Sequence, residues 1–265
     1  MAGDDRPAGG RGVSAARVYK LGGPALEDPG LLAPLAAEIR ATPKAALVHG
    51  GGRHVERLLR ALAIESRFVD GRRETSPAAM EVVEMVLSGS VNKSLAAGLT
   101  AHGVPAVGIS GRDAGLLQAR PTPGLGRVGA PDVVRPELVS VLWSAGLVPV
   151  MSPVAGGAGG ESLNVNADEA ALGLAVALRA ASLVYLSDVD GVRVGAAHLP
   201  ALATADAEAL IADGTISGGM VLKVRTALTA VRAGIPEVVI AGRARLTGGF
   251  AGTRLLTAAA AQVAS

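Results

Sequence analysis

Short apolar runs alternate with stretches of helical periodicity along most of the chain. The runs at 17–20 and 45–48 end in glycine-rich turns and predict strands, the second buried on both faces because it is apolar throughout. Apolar residues at i, i+3 and i+4 spacing follow each run and predict amphipathic helices. This succession of strand and helix indicates an α/β fold built on a mainly parallel sheet.

The same rhythm continues to residue 241. A long helix is predicted from Ser76-Pro77 to about residue 102, because a hydroxyl residue before a proline is a typical helix start. We expect residues 68–74 to form a loop and residues 114–132 a polar hairpin. The other predicted elements are strands at 106–109, 147–151, 183–186 and 237–241 and helices at 31–39, 55–62, 136–145, 164–178, 205–213 and around Lys223.

Composition indicates a core of small aliphatic side chains. Hydrophobic residues make up 49% of the 265 positions but aromatic residues only 2%, so the core must consist of Ala, Val and Leu. The length suits one large α/β domain or two lobes that share a sheet. We expect a disordered tail at 1–15, a folded unit at 16–257 and a second tail at 258–265.

Charge and cysteine content exclude several classes of protein. The formal net charge is +2 and no dense Lys/Arg run occurs, which argues against nucleic acid as a partner. Absence of cysteine excludes disulfides and thiolate metal sites, and the four histidines do not have metal-ligand spacing, so no protein metal site is predicted. No apolar run reaches membrane-spanning length and the N-terminus does not resemble a signal peptide, so a soluble cytoplasmic protein is expected, without a membrane partner.

Three glycine-rich turns carry the candidate chemistry. They are Lys20-Leu21-Gly22-Gly23, His49-Gly50-Gly51-Gly52 and Ser217-Gly218-Gly219, the last leading to Lys223. Amide N–H groups at a helix start and a nearby ammonium attract the same anion. Three such turns in one chain indicate a single anion site assembled from distant segments.

Phosphoryl transfer requires positive charge, backbone donors and a held nucleophile. Lys20 and Lys223 are candidates to bracket the transferred group, with Asp168 orienting both through charge-assisted hydrogen bonds. The glycines at 22–23 and 50–52 let backbone N–H groups approach without a Cβ in the way. Asp168 is equally typical of an acid in the first turn of a helix, where the dipole favours it.

Four more residues have two open interpretations. Asn164 and Asn166 are either caps and turn residues or ligands of a substrate carboxylate. Arg73, and with less reason Arg72, makes either a bidentate carboxylate contact or a solvated loop charge. We expect His49 to fill a strand-end position rather than to act as a base.

Two standard nucleotide-binding motifs are missing. The chain has neither the G-x-x-x-x-G-K-[ST] run of P-loop proteins nor a convincing dinucleotide fingerprint with its downstream acid. The residues alone therefore indicate an anion- or nucleotide-binding α/β protein with a lysine-rich transfer site.

The ordered set of motifs resembles the amino acid kinase family, and within it the branch that phosphorylates N-acetyl-L-glutamate. The matching segments together span residues 18–254. They are the first two glycine turns, Asp70 to Thr75, Met80 to Leu87 with Val91-Asn92-Lys93, Leu163 to Asp168, Leu186 to Gly191, Gly218 to Val224 and Gly252-Thr253-Arg254.

The resemblance implies a three-layer αβα sandwich on a mainly parallel open sheet. It implies an N-terminal lobe, about 16–180, for N-acetyl-L-glutamate and a C-terminal lobe, about 181–257, for MgATP. The γ-phosphoryl of ATP would pass to the side-chain carboxylate of N-acetyl-L-glutamate, the second step of arginine biosynthesis. Mg²⁺ would be held through phosphates and water rather than by protein ligands.

The resemblance also implies a role for each candidate residue. Lys20 and Lys223 match the transition-state stabilisers, and Asp168 matches their organiser. The implied substrate-binding residues are Gly50, Gly51, Gly52, Arg73, Asn164 and Asn166. The implied nucleotide-binding residues are Gly22, Gly23, Ser187, Asp188, Val189, Gly191, Gly218 and Met220.

The oligomeric state and the identity of the phosphorylated substrate each leave alternatives open. Arginine-inhibited hexamers of this branch carry an extra N-terminal helix, whereas about 16 residues precede the first strand here, so a homodimer using the long helix is expected. A related enzyme phosphorylates an aminoadipate unit on an acidic carrier protein, but the short 68–71 run favours the free small substrate.

Two alternatives belong to other functional classes. A non-catalytic metabolite sensor is disfavoured by retention of both lysines and Asp168. A dehydrogenase-like dinucleotide binder is disfavoured by the missing fingerprint.

Overall fold

The computed structural model describes residues 14–69 and 71–257. The predicted C-terminal tail and most of the predicted N-terminal tail lie outside this range, as does Asp70. The first strand begins at Ser14, two residues earlier than the predicted start of the folded unit.

The strands, in chain order, are β1 Ser14–Leu21, β2 Lys44–His49, β3 Phe68–Val69, β4 Arg72–Arg73, β5 Ala106–Ser110, β6 Leu117–Pro121, β7 Val128–Val134, β8 Val148–Ser152, β9 Val154–Gly156, β10 Ser162–Val165, β11 Ala180–Leu186, β12 Arg193–Val194, β13 Ala197–His198, β14 Ala201–Ala203, β15 Glu237–Ala241 and β16 Thr253–Leu256. The α-helices are α1 Gly23–Leu26, α2 Leu32–Arg40, α3 Gly52–Ala61, α4 Pro77–Glu84, α5 Asn92–Ala101, α6 Glu137–Ser144, α7 Ala167–Ala177, α8 Thr204–Ala212 and α9 Gly219–Arg232. A π-helical segment, Met85–Val91, joins α4 to α5, and 3₁₀ turns lie at Asp113–Gly115 and Arg243–Thr247.

The central sheet has the strand order β14-β16-β15-β11-β1-β2-β8-β5. The six strands from β15 to β5 in this order are mutually parallel, and β16 pairs antiparallel with β15. The predicted mainly parallel open sheet is therefore confirmed.

Helices cover both faces of the sheet, as the alternation along β1 shows. Ala16 and Val18 pack in one core cluster with apolar residues of α6, α7 and α9. Tyr19 and Leu21 pack in another cluster with α2 and α5. Successive side chains of a strand point to opposite faces, so these two clusters are the two sides of a three-layer αβα sandwich. The predicted fold class is confirmed.

The long helix predicted from residue 77 to about 102 is present as α4, the π-helical segment and α5. Ser76 caps it, with its hydroxyl accepting a hydrogen bond from the Ala79 amide at 3.1 Å, and Pro77 occupies the first helical position. Its buried face packs against Val55 and Leu59 of α3. The sequence pattern did not reveal the π-helical turn.

Two predicted irregular segments differ in outcome. The prediction of a loop at 68–74 is wrong, because β3 and β4 pair antiparallel around Gly71, which adopts a φ of +77°. The hairpin predicted at 114–132 is confirmed as β6 and β7, which close with β9 and β10 into a small barrel. Barrel closure buries Leu117 and Val128, so the hairpin is less polar than predicted.

Several short strands escaped prediction. The pairs β12–β13 and β14–β16 hold two or three residues of each strand in register, which is too short for a period-2 pattern to be visible. Within the described ranges, no helix is both long and apolar enough to cross a membrane.

Candidate active site

Three neighbouring parallel strands, β1, β2 and β11, end at the same edge of the sheet. Backbone hydrogen bonds of 2.9 Å connect the turns that follow them: Gly22 donates to Leu186, and Gly50 donates to Leu21. The chain leaves β1 toward β2 on one side, whereas β11 lies on the other. Open α/β sheets bind ligands at such a switch point, beyond the carboxyl ends of the strands.

Two helix starts converge at this edge. Gly23 is the first residue of α1 and Gly52 is the first residue of α3. A Cβ placed on Gly23 would lie 3.9 Å from the Gly52 nitrogen, so the two starts are in close contact. The first N–H groups of a helix have no partner within it, whereas the Gly22 and Gly50 N–H groups are already used by the sheet. Gly23 and Gly52 therefore offer the amide donors that suit an anion.

Lys20 and Asp168 form a buried ion pair. Lys20 follows Val18 by two residues on β1, so its side chain points to the sheet face covered by α7 and α9. There its Nζ lies 2.6 Å from Asp168 Oδ1 in the first turn of α7, and both side chains are 9% exposed.

Asn166 places Asp168 at the start of α7. Its Oδ1 accepts hydrogen bonds from the Asp168 and Glu169 amides, at 2.8 and 3.3 Å. This is the geometry of an N-cap, which satisfies two of the free donors at a helix start. The cap interpretation of Asn166 is therefore correct, and Asn166 also borders the cavity described below.

Tyr185 lies beside Lys20 on the neighbouring strand. The two residues are Cα partners in the β1–β11 register, and Tyr185 is fully buried. Burial raises the pKa of its phenol well above the ordinary value, and the nearby charge of Asp168 raises that pKa further. Its hydroxyl has no hydrogen-bond partner within the described part of the chain.

Lys223 approaches the same edge from α9, but it does not pair with Asp168. No ion pair within 4.0 Å joins these two described residues, so the acid holds one lysine and not two. Lys223 acts instead on Asp188, whose pKa is lowered mainly by the Ser187 hydroxyl and to a smaller extent by Lys223 and Arg53. Of the two lysines expected beside Asp168, the structure brings only Lys20 into contact with it.

Six of the eight residues proposed for the nucleotide follow β11 or lie at the start of α9, whereas Gly22 and Gly23 follow β1. Ser187 and Gly191 are buried, whereas Asp188 and Val189 are exposed. Gly218 adopts a φ of +57° at the start of α9, and Met220 is partly buried. The charge of Lys223, on α9, contributes to the lowered pKa of Asp188, in the turn after β11.

One cavity of about 180 Å³ brings together all six residues proposed for the substrate. Its volume lies below the range of about 300–1,000 Å³ usual for drug-sized ligands, so it suits a small molecule rather than a nucleotide. Apolar side chains complete its walls, and the charged side chains that line it are arginines. The residues proposed for the substrate there are Gly50, Gly51, Gly52, Arg73, Asn164 and Asn166.

Arg73 is buried and already occupied. Its Nη1 donates to Glu56 Oε2 at 2.5 Å and to Ser66 Oγ at 2.9 Å, and its Nη2 donates to the Gly52 carbonyl at 3.2 Å. Its guanidinium lies 4.5 Å from the centre of the Phe68 ring. The Arg73 hydrogen bond lowers the pKa of Glu56, and a weaker one from Arg60 adds to this effect. A solvated loop charge is therefore the wrong interpretation of Arg73.

Three charged residues at the site were missed by sequence reasoning. Glu56 on α3 holds Arg73, and Glu169 on α7 pairs with Arg72 at 2.5 Å. Arg53 in the first turn of α3 pairs with Glu27 at 2.9 Å and adds to the charge near Asp188. The partners lie 17 to 97 positions apart along the chain, and no local pattern connects them.

His49 lies beneath the second glycine turn. It is fully buried, with its Nδ1 2.7 Å from the Gly50 carbonyl and its Nε2 3.0 Å from Asn92 Nδ2. Burial lowers its pKa to about 4. These contacts agree with the expected role of a strand-end residue rather than a base.

The side chains around the site also determine whether the protein itself could hold a metal ion. Within the described residues, no group of three or more His, Asp or Glu side chains is placed to hold a metal. A metal bound through the phosphates of a nucleotide and through water requires no such group.

A buried lysine–carboxylate pair lies beside two helix starts at the switch point of an αβα sandwich. This arrangement is suited to a protein that binds phosphate or carboxylate anions. The model of the amino acid kinase family matches residues 16–242. The chain belongs to the amino acid kinase family, which confirms the resemblance seen in its motifs.

Relatives narrow the class. The acetylglutamate kinase of Rubrobacter xylanophilus is 45% identical over 242 residues, which cover 91% of this chain and 95% of that protein. The acetylglutamate kinase of Geobacillus stearothermophilus is 44% identical over 229 residues, covering 84% and 88%. Among solved structures, the protein smu.665 of Streptococcus mutans superposes with a TM-score of 0.81 at 25% identity, covering 91% of this chain and 98% of that one.

Proposed function

We propose that this chain transfers the γ-phosphoryl group of ATP to the side-chain carboxylate of N-acetyl-L-glutamate. The products are ADP and N-acetyl-L-glutamyl 5-phosphate, and the reaction is the second step of arginine biosynthesis. The observation that carries the proposal is the similarity to acetylglutamate kinases at 44–45% identity along most of both chains. The buried Lys20–Asp168 pair at the glycine edge supports it from the structure.

Phosphoryl transfer to a carboxylate requires little covalent chemistry from the protein itself. A carboxylate nucleophile is already ionised at neutral pH, so no general base is needed. The obstacle is the repulsion between that carboxylate and the polyphosphate. Lys20 and Lys223 oppose this repulsion from two directions, and the Gly23 and Gly52 amides add neutral donors. Asp168 keeps the Lys20 ammonium at the edge of the sheet.

The cavity beside this edge is the proposed site for N-acetyl-L-glutamate. Arg73 and Asn164 would bind the α-carboxylate, and Gly50 to Gly52 would border the reacting carboxylate. The Arg73 guanidinium is held by Glu56, Ser66 and the Gly52 carbonyl, so it is fixed before the substrate arrives. A guanidinium positioned in advance loses less rotamer entropy on binding.

The C-terminal lobe, about 181–257, is the proposed site for ATP. Its contacts would come from the turn after β11 and from the start of α9, together with Gly22 and Gly23 at the phosphates. Mg²⁺, held through the phosphates and water rather than by protein side chains, would supply positive charge that neutralises the polyphosphate.

We further propose a cytoplasmic homodimer, in which the long helix supplies much of the two-fold interface. Met85 is 58% exposed on that helix, which leaves an apolar side chain available for such a contact. Sedimentation at several protein concentrations, with and without arginine, tests the assembly. A concentration-dependent dimer that does not respond to arginine is expected, and an arginine-stabilised hexamer would contradict it.

A substrate panel tests the function. ADP release is measured with N-acetyl-L-glutamate, with L-glutamate and with aminoadipate attached to an acidic carrier protein. We expect turnover with N-acetyl-L-glutamate that exceeds turnover with either of the others by at least about two orders of magnitude, since a site built to pair a substrate group rejects analogues that lack it. Preference for the carrier-bound substrate would refute the proposal in favour of the lysine-pathway enzyme. Absence of ADP release with all three compounds would refute it in favour of a non-catalytic sensor.

A further inference from the structure

Thr75 connects two of the residues proposed to bind the substrate. It lies between the β3–β4 hairpin and α4, and it is fully buried. Its hydroxyl donates to the Arg73 carbonyl at 2.7 Å, and Asn164 Nδ2 donates to the same hydroxyl at 3.1 Å.

The proton count of this small network fixes the direction of each hydrogen bond. A threonine hydroxyl has one proton, and a carbonyl oxygen can only accept. The Thr75 hydroxyl therefore donates its proton to the Arg73 carbonyl, and it can only accept a hydrogen bond from Asn164. Asn164 must turn its amide nitrogen to Thr75, which leaves its Oδ1 without a partner among the described residues and directed away from Thr75.

The backbone holds the two side chains at this distance. The Thr75 amide donates to the Leu125 carbonyl at 3.1 Å, and the Thr75 carbonyl accepts from the Arg127 amide at 2.7 Å. The Asn164 amide donates to the Arg127 carbonyl at 2.8 Å, so both residues are bound to the same short segment. Gly126 lies against Thr75, since a Cβ at Gly126 would be 2.3 Å from the Thr75 carbonyl oxygen.

We propose that Thr75 is a positioning residue for the amino-acid substrate, which sets the direction of the Asn164 amide and holds the Arg73 backbone at the cavity wall. This inference rests on the proposed function. Asn164 borders the cavity and Thr75 does not, so Thr75 acts through Asn164 and Arg73 and not by contact with the substrate.

A double-mutant cycle with N-acetyl-L-glutamate tests the proposal. Thr75→Val keeps the shape of the side chain but can neither donate nor accept, and Thr75→Ser keeps the hydroxyl. We expect Thr75→Val to raise the KM for N-acetyl-L-glutamate about 10-fold, as for a buried polar group left unpaired. The KM for ATP and kcat should change less than about 2-fold on the same reasoning, and Thr75→Ser should restore the wild-type KM.

The cycle is completed in an Asn164→Ala background. There Thr75→Val should lower kcat/KM by a smaller factor than in the wild-type background, because one of the two groups through which Thr75 acts is gone. An equal loss in both backgrounds, or an equal rise in the KM for ATP, would overturn the inference. If Thr75→Val does not fold, Thr75→Ala takes its place in the same cycle.

A readout that does not depend on turnover separates this inference from the proposed function. The side-chain NH₂ resonances of Asn164, assigned by their loss in Asn164→Ala, report the hydrogen bond directly. They should shift in Thr75→Val and keep their positions in Thr75→Ser. Resonances unchanged in Thr75→Val would refute the positioning role, whereas the expected shifts in a protein without kinase activity would refute only the proposed function.

Discussion

Replacement of Asp168 by asparagine removes one charge from the buried pair and keeps the shape of the side chain. The acid and the Lys20 ammonium lie 2.6 Å apart, and each side chain is 9% exposed. The asparagine would still lie in the first turn of α7, since Asn166 caps the helix through backbone amides that the substitution leaves in place. The variant therefore isolates the charge.

The magnitude follows from distance and burial. At 2.6 Å two opposite unit charges attract by about 6 kcal/mol for an effective dielectric constant of about 20. Desolvation of both ions offsets much of this attraction, but removal of one partner leaves the other charge buried and unpaired, which costs about 3–5 kcal/mol. We therefore expect Asp168→Asn to lower the free energy of unfolding by about 3–5 kcal/mol, and to lower kcat because the Lys20 ammonium loses its fixed position.

The matched control is Glu169→Gln, one residue further along the same helix turn. Glu169 pairs with Arg72 at 2.5 Å, but the two side chains are 23% and 32% exposed. Loss of a partly exposed pair should cost only about 0–1 kcal/mol. Urea unfolding of the wild type, both variants and the double variant Lys20→Met with Asp168→Asn gives the comparison.

The stability of the double variant, Lys20→Met with Asp168→Asn, tests more directly whether the unpaired charge causes the loss. Removal of both charges should recover most of the stability lost in Asp168→Asn, because no unpaired ion is left in the core. Equal stabilities of Asp168→Asn and Glu169→Gln would refute the reasoning from burial. A double variant that is less stable than Asp168→Asn would show that Lys20 stabilises the fold through other contacts.

Three further predictions concern other parts of the site. Lys223→Ala should lower kcat by about 10²–10³, as for loss of one preorganised electrostatic donor, with a modest change in KM; unchanged steady-state turnover would remove Lys223 from the chemistry. Arg73→Ala should mainly raise the KM for N-acetyl-L-glutamate, and an effect confined to the KM for ATP would show that its role is misassigned. His49 has a pKa lowered by burial to about 4, against an ordinary histidine value of 6.5, so its neutral form is favoured in the folded state. The contribution of His49 to the free energy of unfolding is complete above about pH 6.5 and is lost as the pH falls toward 4. Between pH 7 and 5, the free energy of unfolding in urea should therefore fall by about 2 kcal/mol more in the wild type than in His49→Asn. Equal decreases in the two proteins would contradict this.

Much of the scaffold could be predicted from local pattern. The apolar run at β2, the Ser76-Pro77 start of the long helix and the glycine turns each reflect a constraint that a few neighbouring residues express. The fold class followed from their alternation, and the family from their order. The position of Lys20 on one sheet face also follows from the two-residue period of β1.

The parts that could not be predicted depend on residues far apart in sequence. Arg73 was identified, but the acid that holds it lies on α3 and has no local signal. Asp168 was expected to hold both lysines, yet only the geometry of α7 and α9 shows that it reaches Lys20 alone. Thr75 gave no signal of its own, because the role proposed for it depends on its contacts with Arg73 and with Asn164 of β10.

Trapping of the product with hydroxylamine tests whether the chain forms an acyl phosphate on N-acetyl-L-glutamate. An acyl phosphate reacts with hydroxylamine to give a stable hydroxamate, which mass spectrometry identifies together with the ADP released. We expect N-acetylglutamyl hydroxamate and ADP in a 1:1 ratio, with both lost in Lys223→Ala at short reaction times. Release of ADP without hydroxamate, or hydroxamate formation at the wild-type rate in Lys223→Ala, would contradict it.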